Sequence, residues 1–180
     1  MKVIGVDPGT AATGYGVVVR QDGGAVSLAE CGVIRTDSAH ALPERLRAIF
    51  DGVSQLLERH RPDVVAVEDV FYGRNVRTTI VLGHARAAVI LAAALRNIAV
   101  AEYPASEVKN AVVGRGRANK EQVQYMVQHL LRLREPPRPS DAADGVAVAL
   151  CHCTSARLDR GPLRVPSDAE LLRRAASFRR

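Results

Sequence analysis

The chain has 180 residues, 47% of them hydrophobic, which suits one globular domain with its own core and excludes a disordered or metal-stapled peptide. No apolar run approaches the roughly 20 residues of a membrane span, and the opening MKVIGVDPG lacks a charged-then-apolar leader, so a cytoplasmic protein is expected. The net charge is +6, from 25 Lys and Arg against 19 Asp and Glu, and its distribution points to an anionic partner. Taken along the chain, residues 2 to 7 read as a short buried strand ending in an acid, and TGYGVVVR at 13 to 20 reads as a second. Asp22-Gly23-Gly24 supplies hairpin turn chemistry before a third strand at about 25 to 35. From Leu42 to His60 the apolar positions Leu42, Leu46, Ile49, Phe50, Val53, Leu56 and Leu57 follow the helical period, and Pro62 ends the helix. Val64 to Glu68 is another buried strand. Residues 78 to 96 form an Ala-rich helix, apolar nearly all round in its second half, that must bury two faces. A strand near 98 to 103, helices near 105 to 112 and 119 to 133, and a helix from about Asp141 to Ala156 complete the order βββαβαβααα. An α/β fold with a mixed five-stranded sheet and helices on both faces follows. The domain is expected over residues 1 to 157, with 158 to 180 a basic, mobile tail.

The positive charge gathers in three blocks. Arg74, Arg77 and Arg86 stand in 71 to 86 with no acid, and Lys109, Arg115, Arg117 and Lys120 stand in 108 to 120 with no acid. Residues 160 to 180 hold six Arg against Asp168 and Glu170, so the blocks carry +3, +4 and +4 and the remainder −5. An acidic body with basic loops fits nucleic acid. Three cysteines, two of them in Cys151-His152-Cys153 on a helical pattern, read as reduced buried thiols, because a second ligand pair at zinc spacing is missing.

Two buried strands each end in an acid, Asp7 and Glu68, and ligands of open α/β sheets bind beyond such strand ends. Asp141 and Asp144 are three apart at the start of a helix, which puts their Cβ atoms roughly 5 to 6 Å apart on one face. Singly, each acid has a structural explanation: a favoured first-turn position for the helix pair, or turn initiation for Asp7 before Pro8-Gly9. Glu68 is harder to dismiss, since a carboxylate ending a buried strand needs a partner, a proton or a metal. Four converging carboxylates are best explained by divalent metal, and oxygen-only ligands select Mg²⁺ or Mn²⁺. Two such ions about 3.5 to 4 Å apart suit in-line attack on a phosphodiester.

VIGVDPGTAATGYGVV, the VEDVF around Glu68, VKNAVVGRGRANKEQVQ and DAADGVAVALCHC together resemble the RuvC family of Holliday-junction resolvases, in order and spacing, over about residues 1 to 155. The resemblance implies an RNase H-like nuclease that resolves four-way junctions by paired symmetric nicks, with Asp7, Glu68, Asp141 and Asp144 holding two Mg²⁺; from its place on the first, central strand, Asp7 is expected to bridge them. It also implies Lys109 and Lys120 near the scissile phosphate, Phe71 gripping an unpaired base, and cooperation with the RuvA and RuvB branch-migration machinery. Arg74, Arg77, Arg115 and Arg117 are the further candidate DNA contacts. Tyr72 reads as core packing. Asp69 departs from the Gln associated with the family, and strand alternation turns it away from Glu68 and out of the metal set. The apolar helix at 78 to 96 can pack one face on its own sheet and offer the other to a symmetry mate, as a homodimer matching the two-fold junction requires.

Three other readings are weighed. An actin-like or sugar-kinase ATPase shares the Asp-x-Gly-Thr turn after a strand but needs about twice the roughly 100 to 200 residues of a single domain. A non-catalytic junction-binding module has no use for uncompensated acids beside a phosphate. An RNase H-like nuclease acting on RNA or RNA-DNA hybrid keeps the acids but lacks the combination of Phe71 with Gly114-Arg115-Gly116-Arg117.

Overall fold

A computed structural model describes residues 1 to 69 and 76 to 154. Phe71, Tyr72, Arg74 and the expected tail at 158 to 180 lie outside the described residues. Five strands, β1 (Lys2–Asp7), β2 (Ala12–Arg20), β3 (Val26–Arg35), β4 (Val64–Glu68) and β5 (Ala99–Tyr103), form one sheet in the order β3-β2-β1-β4-β5. The first three are antiparallel, joined between β2 and β3 by a turn in which Gly24 takes φ 81°. β4 and β5 run parallel to β1, so Asp7 and Glu68 end neighbouring central strands on the same edge of the sheet.

Alternation along the strands sorts the core into two layers. Val3, Ala66 and Tyr103 face α5 (Ser140–Thr154), with α3 (Ala105–Val113) and α4 (Lys120–Leu130) packed beside it. Ile4, Val6, Val65, Val67 and Val100 face α1 (Leu42–His60) and α2 (Val76–Ala94). The α1 start is set by Pro43 in its first turn and by Glu44, whose carboxylate accepts from the Ala41 N–H at 3.1 Å. Left-handed Arg61 (φ 45°) stops it, with its N–H on the Leu57 carbonyl.

α2 and α4 are offset from the spans read in the sequence. α2 ends at Ala94 because Asn97 turns left-handed (φ 55°) and the Ile98 N–H folds back to Ala93, and α4 ends at Leu130, just before left-handed Arg132 (φ 51°). α2 departs from expectation in one further way. By length and composition it is apolar enough to cross a membrane, although Arg77, His84 and Arg86 interrupt the run in the sequence. Within the single chain it buries one face, through Ala85, Val89, Ala92 and Ala93, and leaves Ile80 and Leu91 exposed, with Leu95 also exposed just past its end.

α5 lies against the sheet with almost no space between. Its contact strip is glycine on both sides: a Cβ at Gly5 would meet the Ala149 nitrogen at 2.2 Å, one at Gly14 the Asp141 carbonyl at 1.8 Å, and one at Gly145 the Tyr15 Cα at 2.5 Å. Side chains there would lift the helix; their absence lets its first turn overhang the ends of β1 and β2. The three cysteines are free thiols, Cys151 and Cys153 buried and Cys31 half-buried. His152 is buried between them, and its Nδ1 lies 2.7 Å from the Tyr103 hydroxyl, a structural link from α5 to β5.

Candidate active site

Asp7 leaves β1 toward α5, and the loop after it is held in shape by Thr13. That buried hydroxyl donates to the Gly9 carbonyl at 2.7 Å and accepts from the Gly9 N–H at 3.3 Å. Arg45 of α1 adds a bond from its Nε to the Thr10 carbonyl at 3.2 Å. Glu68 leaves the neighbouring strand end in register with Tyr103 of β5. From the other side, α5 brings Asp144 over both, and α3 and α4 supply Lys109 and Lys120. These groups line one cavity of about 210 Å³ together with Ala105, Val108, Val123 and Ala147. Asp141 does not line it. It reaches the group through Lys120, whose Nζ lies 2.8 Å from the Asp144 Oδ2 and 3.3 Å from the Asp141 Oδ1.

The electrostatics follow from crowding acids against an apolar floor. Burial pushes the Glu68 carboxyl up to about 8, with repulsion from Asp7 and Asp144 adding to it and Lys109 and Lys120 opposing. Asp7 is pushed up to about 6, again by burial first and then by Asp144. Lys120 is raised, first by its hydrogen bond to Asp144.

The donor set is carboxylate oxygen throughout, the chemistry of a hard divalent cation. The Lys120 ammonium already occupies the position of a cation between Asp141 and Asp144. Among the described residues no three acidic, His or Cys side chains are gathered closely enough to close on one ion as they stand. The set fits such an ion in chemistry and charge.

Of the other sequence candidates, Arg77 is exposed at the start of α2, and Arg115 and Arg117 are exposed on the turn between α3 and α4. None of the three lines the cavity. Sequence reasoning missed Thr13 and Arg45 as supports of the Asp7 loop. A Thr four residues after a turn glycine carries no signal of that kind, and Arg45 reads only as the polar face of a helix.

Comparison with known proteins places this arrangement. The family model for crossover junction endodeoxyribonuclease RuvC matches residues 3 to 152. The crossover junction endodeoxyribonuclease RuvC of Trichlorobacter lovleyi is 49% identical over 181 residues, covering 99% of this chain and 98% of that one. The enzyme of the same name from a Parafrankia species is 51% identical over 162 residues, covering 90% and 88%. Among solved structures, Thermus thermophilus RuvC in complex with its Holliday junction substrate superposes with a TM-score of 0.83 at 38% identity, over 90% of this chain and 98% of that one.

Proposed function

The chain belongs to the RuvC family of crossover junction endodeoxyribonucleases, and from that premise we propose that it resolves Holliday junctions by paired phosphodiester hydrolysis at the cavity between β1, β4 and α5. The observation that carries the reading is the convergence of Asp7, Glu68 and Asp144 with Lys109 and Lys120 in that one cavity. When bound at Asp7, Glu68, Asp141 and Asp144, two Mg²⁺ ions, or Mn²⁺ in their place, supply Lewis-acid stabilisation of the charge that develops on the phosphate. The chain's own part is to hold the carboxylates apart and oriented. The glycine-tight seat of α5 fixes Asp144 against Asp7, and the β1–β4 ladder fixes Asp7 beside Glu68. Lys109 and Lys120 offset negative charge as the phosphodiester approaches, and Lys120 has exposed reach to do so. Arg77, Arg115 and Arg117 are exposed cations suited to phosphates outside the cavity. The roles of Phe71 in base stacking and of Arg74 in phosphate contact rest on the sequence alone.

A four-way junction has two-fold symmetry and needs two cuts, so the working unit is a C2 dimer formed through the exposed apolar face of α2. Family membership supports action in the cytoplasm beside the RuvA and RuvB branch-migration complex. With Mg²⁺ present, the protein should place paired symmetric nicks in a synthetic four-way junction and leave linear duplex and RNA-DNA hybrid intact. Equal cutting of all three substrates rejects junction selectivity.

A further inference from the structure

Asp69 follows Glu68 directly, and alternation sends the two carboxylates to opposite faces of the sheet. Glu68 enters the cavity on the α5 face. On the opposite face Arg86, from the middle of α2, reaches the ends of two strands: it is hydrogen-bonded to Glu102 of β5 and lies 3.5 Å from the Asp69 Oδ1 beyond β4. The β4–β5 ladder closes at the same level, where Glu68 pairs with Tyr103 and the Asp69 N–H donates to the Tyr103 carbonyl at 2.9 Å. The Arg86 side chain is only 20% exposed, and its Nε has no hydrogen-bond partner among the described residues. Between Ile80 and Ala94 it is the one Lys, Arg, Asp or Glu in the helix. Sinking a guanidinium this far with one nitrogen unsatisfied is costly, and an ion pair on the open surface would contribute little in return. Both contacts are made by one guanidinium nitrogen, Nη2, which stands between the carboxylate of β5 and the carboxylate just beyond β4.

We propose that Arg86 is a positioning residue for the reaction: it clamps the ends of β4 and β5 to α2 and so sets the direction from which Glu68 enters the site. Glu68 and Asp69 act as the two arms of one backbone segment, the second held by Arg86 and the first thereby aimed at Asp7 and Asp144. The clamp rests on the reading of Glu68 as a member of the metal-binding set. It also ties the helix that carries the exposed apolar face to a carboxylate of the site.

The test compares Arg86→Met, Arg86→Lys and Glu102→Gln with the wild type, using Glu68→Gln as the reference for loss of the carboxylate itself. Melting curves establish a temperature at which each variant is folded, and gel shift without added metal measures junction binding. Mn²⁺ binding is followed by electron paramagnetic resonance and cleavage by single-turnover assay at saturating junction. Arg86→Met and Glu102→Gln should bind junction as the wild type does, yet lose about 10- to 100-fold in both Mn²⁺ affinity and cleavage rate, the scale seen when a group that orients a metal ligand is removed. Arg86→Lys should recover part of the loss, because lysine keeps the positive charge but its shorter, compact ammonium head stops short of where the Arg86 Nη2 meets the two carboxylates. Folded variants that bind Mn²⁺ and cleave like the wild type overturn the clamp, as do losses that merely track the melted fraction. If Arg86→Met does not fold, Glu102→Gln alone decides, since it keeps the arginine. Unchanged Mn²⁺ binding and cleavage in Glu68→Gln overturns the metal-set reading itself, a result distinguishable from failure of the clamp.

Discussion

Glu68 and Asp7 keep their protons further up the pH scale than carboxylates in water, and that has a consequence for stability with a definite sign. Between the ordinary carboxyl values of 4.5 and 3.8 and the folded values of about 8 and about 6, the native chain holds protons that the unfolded chain has released. Stability of the metal-free protein therefore falls as pH rises through that window and stays low above it. Glu68→Gln removes the larger of the two penalties. Its melting temperature should exceed that of the wild type above pH 8, by about 2 to 4 °C per kcal/mol of relieved strain in a chain of this size, and converge with it near pH 4. Added Mg²⁺ at high pH should raise the wild type and have little effect on the variant. Calorimetry over that pH range checks both, and a variant less stable than the wild type at every pH refutes the crowded-acid description. The proposed role of Asp7 as a metal ligand predicts that Asp7→Asn abolishes cleavage while gel shift still detects junction binding, because the exposed cations proposed to contact phosphate are untouched. Near-normal nicking by Asp7→Asn removes Asp7 from the site.

Among elements, the seat of α5 on β1 and β2 decides where the acids stand. A methyl group at Gly14 meets the carbonyl of Asp141 itself, so Gly14→Ala must push the first turn of α5 away from the strand ends. Overpacking of this kind costs about 1 to 3 kcal/mol, and here the displaced turn carries Asp141 and Asp144. Gly14→Ala should lose cleavage at temperatures where circular dichroism still reports a folded chain, whereas Gly23→Ala, with open space around its Cβ, should match the wild type in both measurements. Full activity in Gly14→Ala would show that α5 can shift without consequence for the site. Very little of this seat was legible in the sequence. Strand and helix periods located all ten elements, and the acids at strand ends were visible because a buried apolar run closing in Asp or Glu is unusual. Gly5, Gly14, Gly16 and Gly145, by contrast, look like ordinary glycines until the fold sets residues from opposite ends of the domain face to face. The bonds from Lys120 to Asp141 and Asp144 were hidden for the same reason, since nothing local in the sequence expresses a contact made by folding α4 back on α5.

At the scale of the whole molecule, α2 is the element that a single chain leaves unfinished. Its buried face of Ala85, Val89, Ala92 and Ala93 is small, while Val76, Ile80 and Leu91 on the other side, with Leu95 just past its end, are between 52% and 69% exposed. Large aliphatic side chains outside and alanines inside reverse the usual order, which a second copy across a two-fold axis would correct by burying them. Each leucine fully buried at such an interface contributes about 1.5 to 3 kcal/mol. Replacing Leu91 and Leu95 together by Glu also sets like charges against each other across the axis, so the dimer dissociation constant should rise by about 100-fold or more. Sedimentation equilibrium should show the wild type as a dimer and Leu91→Glu/Leu95→Glu as a monomer of unchanged melting behaviour, because neither side chain belongs to the core of its own chain. The catalytic consequence separates dimerisation from the chemistry at each site. A monomer keeps its acids, so it should still cut a junction that already carries one nick opposite the target strand, while on an intact junction its two cuts should become uncoupled in time. A wild type that sediments as a monomer, or a double variant that still makes paired cuts on the intact junction, refutes the assignment of this face to the dimer.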